Sequence, residues 1–386
     1  MDYFLTEEQK ELRDLAYKFA MEKMAPVAEK YDKGEEFPWD IVKGLARMDF
    51  FRLWIPEEYD GLNGGVMELV LVTEQLSRAC GGMSLALAGS ALGTFPILIG
   101  GNDEQKARFL PKLASGESLA AFCLTEPEAG SDAGAIKTTA KADGDYYILN
   151  GTKHFITNGG VADIYTVIAS TNPERGSRGA SALVVEKGTE GLVFGKKEDK
   201  MGIRASATCE VIFQDCKVPK ENILGREGMG FSIAMKTLDK SRPGVASQAL
   251  GIAQGAFDHA VKYARERHQF GQSIASFQAI QFMLADMGTE IEATRALIYA
   301  TAKMIDSGNK DFGKESAMTK VYAGDMAMRV TTNAVQIFGG YGYMKEYPVE
   351  KYMRDAKITQ IYEGTNQIQR NVIARHIVKE SASKKF

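Results

Sequence analysis

The sequence predicts a multidomain α+β protein: a helical N-terminal domain, a middle antiparallel β domain and a C-terminal helical bundle. Two observations predict this order. Apolar residues recur at helical spacing at both ends of the chain, and short β-branched segments occupy the middle. The length of 386 residues agrees, because one hydrophobic core rarely serves so long a chain.

The N-terminal helical domain is predicted over residues 1–118. In its first helix, apolar side chains recur three or four residues apart, or at sums of these spacings, and so share one face. They are Leu5, Leu12, Leu15 and Phe19. Further helices are predicted near 38–51, 66–80 and 102–114, with a Pro- and Gly-containing loop over 55–65.

The middle domain, residues 119–225, has the pattern of short strands separated by Gly, Asn and Asp turns. The strand-like segments are YYILNG (146–151), IYTVIAS (164–170), ALVVEK (182–187) and CEVIFQD (209–215). Because no helix-length periodic segment lies between them, an antiparallel sheet or barrel is predicted rather than a parallel βαβ sheet.

The C-terminal domain, residues 226–386, returns to helical spacing. Val245, Ala249, Ile252, Ala256 and Ala260 follow it, and a second periodic run extends from Ile280 to Ile291. Long helices joined by short loops indicate an up-and-down bundle. The last segment, 380–386, has little to bury and is predicted to be disordered.

Charge and composition exclude several classes of protein. The 47 Lys and Arg against 50 Asp and Glu give a net charge of −3, whereas nucleic-acid proteins show a basic excess. The four cysteines form no CxxC, and the four histidines show no paired metal spacing, so no metal site is predicted.

No targeting segment or membrane span is predicted. Residues 1–20 are acidic and helical, unlike a secretory or mitochondrial leader, which favours a prokaryotic cytoplasmic protein. The most apolar stretch, 84–100, is interrupted by Gly89, Gly93 and Pro96. It is predicted to be a buried helix and the loop after it rather than a membrane helix.

Two motifs of the middle domain offer ligand-binding groups. FCLTEPEAGSD (122–132) can direct backbone N–H groups and the Thr125 and Ser131 hydroxyls at an anionic or carbonyl-rich ligand. HFITNGG (154–160) places Phe155 and Thr157 on one face of a strand, where a planar heterocycle could stack and accept a hydrogen bond. Taken alone, each is explained as well by an ordinary turn or a core aromatic residue.

Two motifs of the C-terminal domain are equally ambiguous. In ERHQFGQ (266–272), Arg267 suits either a helix C-terminus capped by Gly271 or a phosphate, and FGGYGY (338–343) either ends a helix or allows close approach of a ligand. The chain contains neither a GxGxxG dinucleotide fingerprint nor a phosphate-binding P-loop.

The segment IYEGTNQIQR (361–370) contains a candidate general base. Glu363 stands beside apolar and aromatic residues, where loss of hydration would raise the pKa of its carboxyl group. A solvated glutamate at a helix end is the alternative. No histidine has a serine or cysteine context that suggests a hydrolytic triad.

Taken together and in this order, the motifs resemble those of the acyl-CoA dehydrogenase family, most nearly its short- and medium-chain (butyryl-CoA type) members. The resemblance extends from about residue 3 to 379. It implies an N-terminal helical domain, a middle β domain and a C-terminal four-helix bundle. It also implies noncovalent FAD and oxidation of an acyl-CoA thioester to the 2-enoyl-CoA.

By this resemblance, Glu363 removes the α proton while a hydride passes to flavin N5, and the Glu363 N–H helps to hold the thioester oxygen. The implied flavin-binding residues are Leu124, Thr125, Gly130, Ser131, Phe155, Thr157, Arg267, Phe270, Gln278, Gln336, Gly340, Thr365 and Gln367. Those from Arg267 to Gly340 match positions that reach the FAD of a neighbouring subunit, which implies a homotetramer.

The resemblance also implies substrate contacts, at Ser131, Asp239, Arg242 and Gly364. Some relatives carry their base one residue before the arginine, where this chain has Ser241, which leaves Glu363 as the candidate. The small residues between Leu85 and Thr94 are expected to line the acyl pocket. The stretch contains no arginine that could hold a second carboxylate, so a dicarboxylic acyl group is not expected. A short, medium, branched or cyclic acyl chain is expected instead.

The implied role is in fatty acid β-oxidation, with electrons passing to an electron-transferring flavoprotein. An enoyl-CoA reductase working in reverse remains open, since direction depends on the flavin potential and the partner. An acyl-CoA oxidase is less consistent with the chain length. A DNA-associated relative would need a basic surface, and a non-catalytic scaffold would not need Glu363 and the flavin positions.

Overall fold

The structure, a computed structural model, describes residues 3–383 and begins with a helical part. Its helices are α1 (Glu7–Phe19), α2 (Ala28–Gly34), α3 (Trp39–Arg47), α4 (Val66–Ala79), α5 (Gly81–Gly100) and α6 (Asp103–Ala114). Capping residues fix two of the starts. Thr6 with Gln9 and Asn102 with Gln105 each form a capping box, which satisfies backbone N–H groups that have no partner inside the helix.

Eight strands form one sheet in the middle of the chain. They are β1 (Ala120–Cys123), β2 (Thr139–Asp143), β3 (Tyr146–Thr157), β4 (Ile164–Ser170), β5 (Ala180–Glu186), β6 (Leu192–Lys197), β7 (Thr208–Pro219) and β8 (Ile223–Leu224). The order is β6-β7-β3-β2-β4-β5-β8, and β1 pairs with β4.

The sheet is mixed: most of its pairings are antiparallel, as predicted, and β4 also has two parallel partners. β1 runs parallel to β4, with Ala120 opposite Ile164, and β2 meets β4 in parallel at Thr139 and Ser170. The other pairings of this sheet are antiparallel, and the longest joins β3 to β7. The parallel pairing of β1 is not predicted, because its sequence, AAFC, has no β-branched residue and no alternation.

The C-terminal part is helical, as predicted. It contains α7 (Gly230–Glu266), α8 (Gln278–Asp306), α9 (Gly313–Phe338), α10 (Val349–Lys357) and α11 (Asn366–Ser383). Two short strands, β9 (His268–Gln269) and β10 (Gln272–Ser273), form a hairpin after α7. Gly271 lies in this hairpin at φ 78° and is not the helix cap that its position suggested.

Two sequence expectations about helix ends are corrected. α5 continues through Gly89, Gly93 and Pro96 to Gly100, because burial on several sides stabilises it despite the missing proline N–H. α11 extends to Ser383, so residues 380–383 are helical rather than disordered, and 384–386 lie outside the described residues.

α5 is also the one helix within residues 3–383 that is long and apolar enough to cross a membrane. In the structure, 78% of its apolar window is buried inside the protein. A core helix of a globular protein passes the same test of length and composition.

Among residues 3–383, two clusters of buried side chains form the core. The first joins the N-terminal helices to the sheet. The second joins Val66, Met67, Val70 and Leu71 of α4 to the helices α7 to α10. α4 is therefore buried on opposite faces and connects the N-terminal and C-terminal helical parts.

Gly93 sets the distance between α5 and β1. A Cβ atom at this position would lie 2.6 Å from the Ala121 nitrogen and 2.7 Å from the Ala120 Cβ. We expect Gly93→Ala to lower the free energy of unfolding by about 1–3 kcal/mol, because backbone must move to admit the methyl group. Urea denaturation measures this change.

Gly244→Ala is the matched control, since Gly244 also lies inside a helix, and its added Cβ would meet nothing within 4 Å. That variant should gain up to about 1 kcal/mol from helix propensity. Equal effects of the two substitutions would contradict the close approach of α5 to β1.

Candidate active site

A cavity of about 520 Å³ lies where α5, the sheet, α7 and the turn before α11 meet. One wall consists of uncharged residues of α5: Leu85, Ala88, Gly89, Ala91, Leu92 and Phe95. Predicted site residues from distant parts of the sequence line the remainder: Leu124, Thr125, Gly130, Ser131, Phe155, Thr157, Arg242, Glu363 and Gly364.

Glu363 occupies the turn between the C-terminal side of α10 and the start of α11. Its backbone has a φ of 51°, in the left-handed region, and Gly364 follows at 89°. The Ser241 hydroxyl of α7 donates a hydrogen bond to Glu363 Oε2. No described group accepts a hydrogen bond from the Glu363 N–H, so that donor remains available at the cavity.

Burial raises the pKa of the Glu363 carboxyl group above its ordinary value. The hydrogen bond from Ser241 and the positive charges of Arg242 and Lys320 oppose this rise. The direction agrees with the sequence expectation for a general base in apolar surroundings.

The raised pKa predicts a pH-dependent stability difference. Above the ordinary pKa of glutamate, folding must bury a carboxylate that is easily ionised in the unfolded chain. We therefore expect Glu363→Gln to increase the free energy of unfolding at pH 8, by about 1.4 kcal/mol for each pH unit by which the pKa in the folded protein exceeds that in the unfolded chain. The gain should largely vanish near pH 4, where the group is mostly protonated in the unfolded chain as well as in the folded protein.

Denaturant titrations of wild type and variant at the two pH values measure this difference. The same change in stability at both would show that ionisation of Glu363 is not costly in the folded protein.

A buried ion pair between Lys153 and Glu126 holds the loop from Leu124 to Ser131 in place. Lys153 of β3 is fully buried, and its Nζ lies 2.7 Å from Glu126 Oε1 and 3.0 Å from the Leu124 carbonyl oxygen. Glu126 also accepts hydrogen bonds from the backbone N–H groups of Lys137 and Thr138. The loop is thus held rigidly while its hydroxyl groups face the cavity.

Phe155 and Thr157 both reach the cavity, but not through a regular strand. The pairing of β3 with β7 shifts register between Lys153 and Ile156, and Phe155 has a φ of 57°. Such a bulge redirects a side chain, and the Phe155 ring is 61% exposed. The His154 ring stacks against it, with centroids 3.9 Å apart, and a His154 nitrogen lies 3.2 Å from Glu198.

Asp239 and Arg242 form an ion pair on α7, 2.5 Å apart. The Arg242 side chain is buried and lines the cavity, and its Nε has no hydrogen-bond partner in the described residues. An unpartnered buried guanidinium N–H is costly, which is consistent with a ligand that accepts its hydrogen bond.

The remaining predicted residues lie away from this cavity. Arg267 and Gly340 line a second cavity, of about 500 Å³, and the Arg267 guanidinium lies over the Tyr341 ring. Phe270 is 91% exposed, and Gln278 and Gln336 are also exposed. Thr365 accepts a hydrogen bond from the Ile368 N–H at the start of α11, and Gln367 is exposed.

Several residues at the site were not found from the sequence. The role of Ser241 is not visible in the sequence, because its hydrogen bond to Glu363 joins residues 122 positions apart. Lys153 could have been found, because the period of two along β3 puts it on the buried face with Tyr147 and Leu149.

Models of one family match almost the entire chain. The acyl-CoA dehydrogenase N-terminal domain matches residues 6–117, the middle domain 121–216 and the C-terminal domain 228–378. The chain belongs to the acyl-CoA dehydrogenase family. The predicted family is confirmed, and so is the prediction of an oxidoreductase enzyme.

Relatives cover the chain from end to end. The short-chain specific acyl-CoA dehydrogenase of Clostridium acetobutylicum is 47% identical over 380 residues, 98% of this chain and 100% of the relative. Acryloyl-CoA reductase (NADH) of Anaerotignum propionicum is 49% identical over 381 residues, 98% of this chain and 96% of the relative.

The solved structure of butyryl-CoA dehydrogenase from Megasphaera elsdenii superposes with a TM-score of 0.95 at 47% identity. The match covers 98% of this chain and 100% of that one. The predicted three-part fold of the acyl-CoA dehydrogenases is therefore confirmed.

Acyl-CoA dehydrogenases depend on FAD, and the residues at the cavity fit a flavin. The hydroxyl groups of Thr125, Ser131 and Thr157 make no hydrogen bond with any described residue. The exposed Phe155 ring offers a stacking surface, and the space around Gly130 is open. Free hydroxyls beside an exposed aromatic ring suit a planar heterocycle with polar edges.

Proposed function

We propose that this chain binds FAD and oxidises a short- or medium-chain acyl-CoA to the 2-enoyl-CoA, with Glu363 as the base that removes the α proton. One observation carries the proposal: a carboxyl group with a raised pKa lies at a mostly apolar cavity, beside free hydroxyls and an exposed aromatic ring. Such a base suits proton transfer near neutral pH.

The chain's own groups can assist this proton transfer. An α proton of a thioester is weakly acidic, so the charge that develops on the thioester oxygen must be stabilised. The free Glu363 N–H is available for that oxygen, and Ser241 holds the carboxyl group in place. FAD, when bound, supplies the acceptor for the hydride that leaves the β carbon.

Further groups are proposed to bind the cofactor and the CoA portion. Leu124, Thr125, Gly130, Ser131, Phe155 and Thr157 line the cavity and would hold the flavin. Asp239, Arg242, Ser131 and Gly364 would contact the substrate. Arg242 has an unused N–H for a carbonyl or phosphate oxygen of that ligand.

The acyl chain would lie against the α5 wall, which is apolar and includes small residues such as Ala88 and Gly89. None of the wall residues is charged, which disfavours a dicarboxylic acyl group. Names of relatives that specify short-chain and butyryl-CoA activity agree with an acyl chain of modest length.

A neighbouring subunit is proposed to complete the cofactor site. Arg267, Phe270, Gln278, Gln336 and Gly340 lie outside the main cavity, with Phe270 almost fully exposed. If these residues bind FAD, they must reach the cofactor of another subunit, which suits a homotetramer with shared FAD sites. We also propose that Thr365 and Gln367 lie near the adenosine part of the FAD. The proposed electron acceptor is an electron-transferring flavoprotein, and the proposed role is in cytoplasmic β-oxidation.

Anaerobic titration of the purified yellow protein tests the proposed function. Saturated linear, branched and cyclic acyl-CoAs would be added in turn while flavin absorbance near 450 nm is recorded. Rapid bleaching by one class supports the dehydrogenase and names its substrate. A flavin that dithionite reduces but no acyl-CoA bleaches would contradict it.

An enoyl-CoA reductase is the second candidate, favoured by the relative named acryloyl-CoA reductase. In that direction Glu363 would return a proton to the α carbon. The distinguishing result is rapid reoxidation of the reduced protein by an enoyl-CoA together with negligible bleaching by the saturated acyl-CoA.

A further inference from the structure

A buried lysine lies directly behind the turn that carries Glu363. Lys320 of α9 is 1% exposed, and its Nζ donates hydrogen bonds to the Gly364 carbonyl oxygen at 2.7 Å and to Asn366 Oδ1 at 3.0 Å. No carboxylate of residues 3–383 lies within 4 Å of this ammonium. A buried lysine without an ion-pair partner is unusual and calls for an explanation.

The turn needs restraint, because Glu363 and Gly364 both have positive φ values, 51° and 89°. Side chains of α9 and α11 donate hydrogen bonds to its carbonyl groups. Gln369 of α11 donates to the Glu363 carbonyl oxygen at 3.0 Å and to the Gly364 carbonyl oxygen at 3.1 Å. The Gly364 carbonyl is therefore shared by Gln369 and Lys320.

Asn366 orients the second acceptor of the lysine. Its Nδ2 donates to Asp325 Oδ1 at 2.8 Å and to the Val321 carbonyl oxygen at 3.2 Å. This leaves Asn366 Oδ1 facing Lys320. The arrangement joins α9, the turn and the start of α11 through hydrogen bonds that all lie behind Glu363.

We infer that Lys320 is a positioning residue for Glu363: its ammonium binds the carbonyl side of the turn to α9 and places a positive charge behind the carboxylate. This inference rests on the proposed role of Glu363 as the base. Lys320 does not line the cavity, so it acts through the turn and not on a substrate.

The charges around the pair determine the direction of the effect. Three charged groups act on Lys320: Glu363 of the turn, Arg242 of α7 and Asp325 of α9. Asp325 also forms an ion pair with Arg370 of α11. Burial lowers the pKa of Lys320 to about 7, opposed by Glu363, while Lys320 in turn lowers the pKa of Glu363. Loss of the cation therefore raises the pKa of the Glu363 carboxyl group.

Infrared titration of the Glu363 carboxyl group tests the inference on the full chain without substrate. Protein with isotope-labelled glutamate is titrated, and the Glu363→Gln spectrum is subtracted to isolate one band. We expect Lys320→Met to shift its midpoint upward by about one pH unit, as removal of a nearby opposite charge does. Lys320→Arg should keep the midpoint close to that of the wild type, because it keeps the charge.

Lys351→Met is the matched control, since Lys351 is also buried, in an ion pair with Asp355 on α10. It should lower stability and leave the Glu363 midpoint in place. If Lys320→Met does not fold, Lys320→Gln removes the same charge with a polar side chain and should give the same upward shift. An unmoved midpoint in a folded, neutral variant overturns the inference.

The two proposals fail separately. If no acyl-CoA bleaches the wild-type flavin, the proposed function fails, while a shifted Glu363 midpoint still supports the coupling to Lys320. If bleaching occurs and the midpoint is unmoved, only the role of Lys320 is overturned. In an active enzyme the acid limb of kcat should move upward with the infrared midpoint.

Discussion

Replacing Glu363 by glutamine is expected to slow reduction of the bound flavin by an acyl-CoA by about 10²–10⁴-fold, the usual contribution of a general base. Glutamine is nearly isosteric, so its side-chain oxygen can still accept the hydrogen bond from Ser241. It cannot take up a proton. Binding of FAD and acyl-CoA should therefore change little, and stopped-flow absorbance near 450 nm measures the loss of rate.

Asp132→Asn is the matched control. Among the described residues, Asp132 and Glu363 are the two carboxylates that line the cavity, so this variant tests whether Asp132 could be the base instead. Asp132 is exposed at the cavity rim, and its replacement should leave most of the rate. Bleaching at the wild-type rate by Glu363→Gln would disprove the assignment. Loss of bleaching in Asp132→Asn alone would transfer the role of base to that residue.

The second large effect is expected from Lys153→Met. Removing one partner of a buried ion pair leaves the other charge unpaired, which costs about 3–5 kcal/mol. Here the unpaired group is Glu126, which is 6% exposed. Since whole domains are stable by about 5–15 kcal/mol, the variant should unfold at a much lower denaturant concentration and retain less FAD.

A double variant tests this explanation. Lys153→Met with Glu126→Gln removes both charges and should recover much of the loss, because glutamine still accepts a backbone hydrogen bond. Lys137→Met is the surface control, since Lys137 and Glu128 form an exposed pair, and it should change stability little. A double variant no more stable than Lys153→Met would show that lost packing, and not the unpaired carboxylate, is responsible.

Elements with local signals were predicted from the sequence. β4 was predicted over 164–170 and occupies those residues, and α6 was predicted over 102–114 and begins at Asp103 after its Asn102 cap. Strong β-branched composition and a capping box act within a few residues, so they are visible in one sequence.

Features that depend on distant packing were not predicted. β1 pairs with β4 across 44 residues, and α5 remains helical through Pro96 because its surroundings bury it. At the site, the neighbours of Glu363 in sequence indicate a candidate base, and the family resemblance favours that role over a solvated glutamate. The groups that fix its turn, Ser241 and Lys320, come from other helices, and no spacing in the sequence connects them with Glu363.

The burial of α4 on opposite faces has a consequence for synthesis of the chain on the ribosome. Apart from Leu5, the residues that share a buried cluster with Met67, Val70 and Leu71 of α4 begin at Ala246. At about 5–20 residues per second, roughly 10–35 s separate the synthesis of these two segments. During that interval this apolar face lacks most of its native partners, so we expect the nascent chain to expose a short hydrophobic segment that a chaperone could shield.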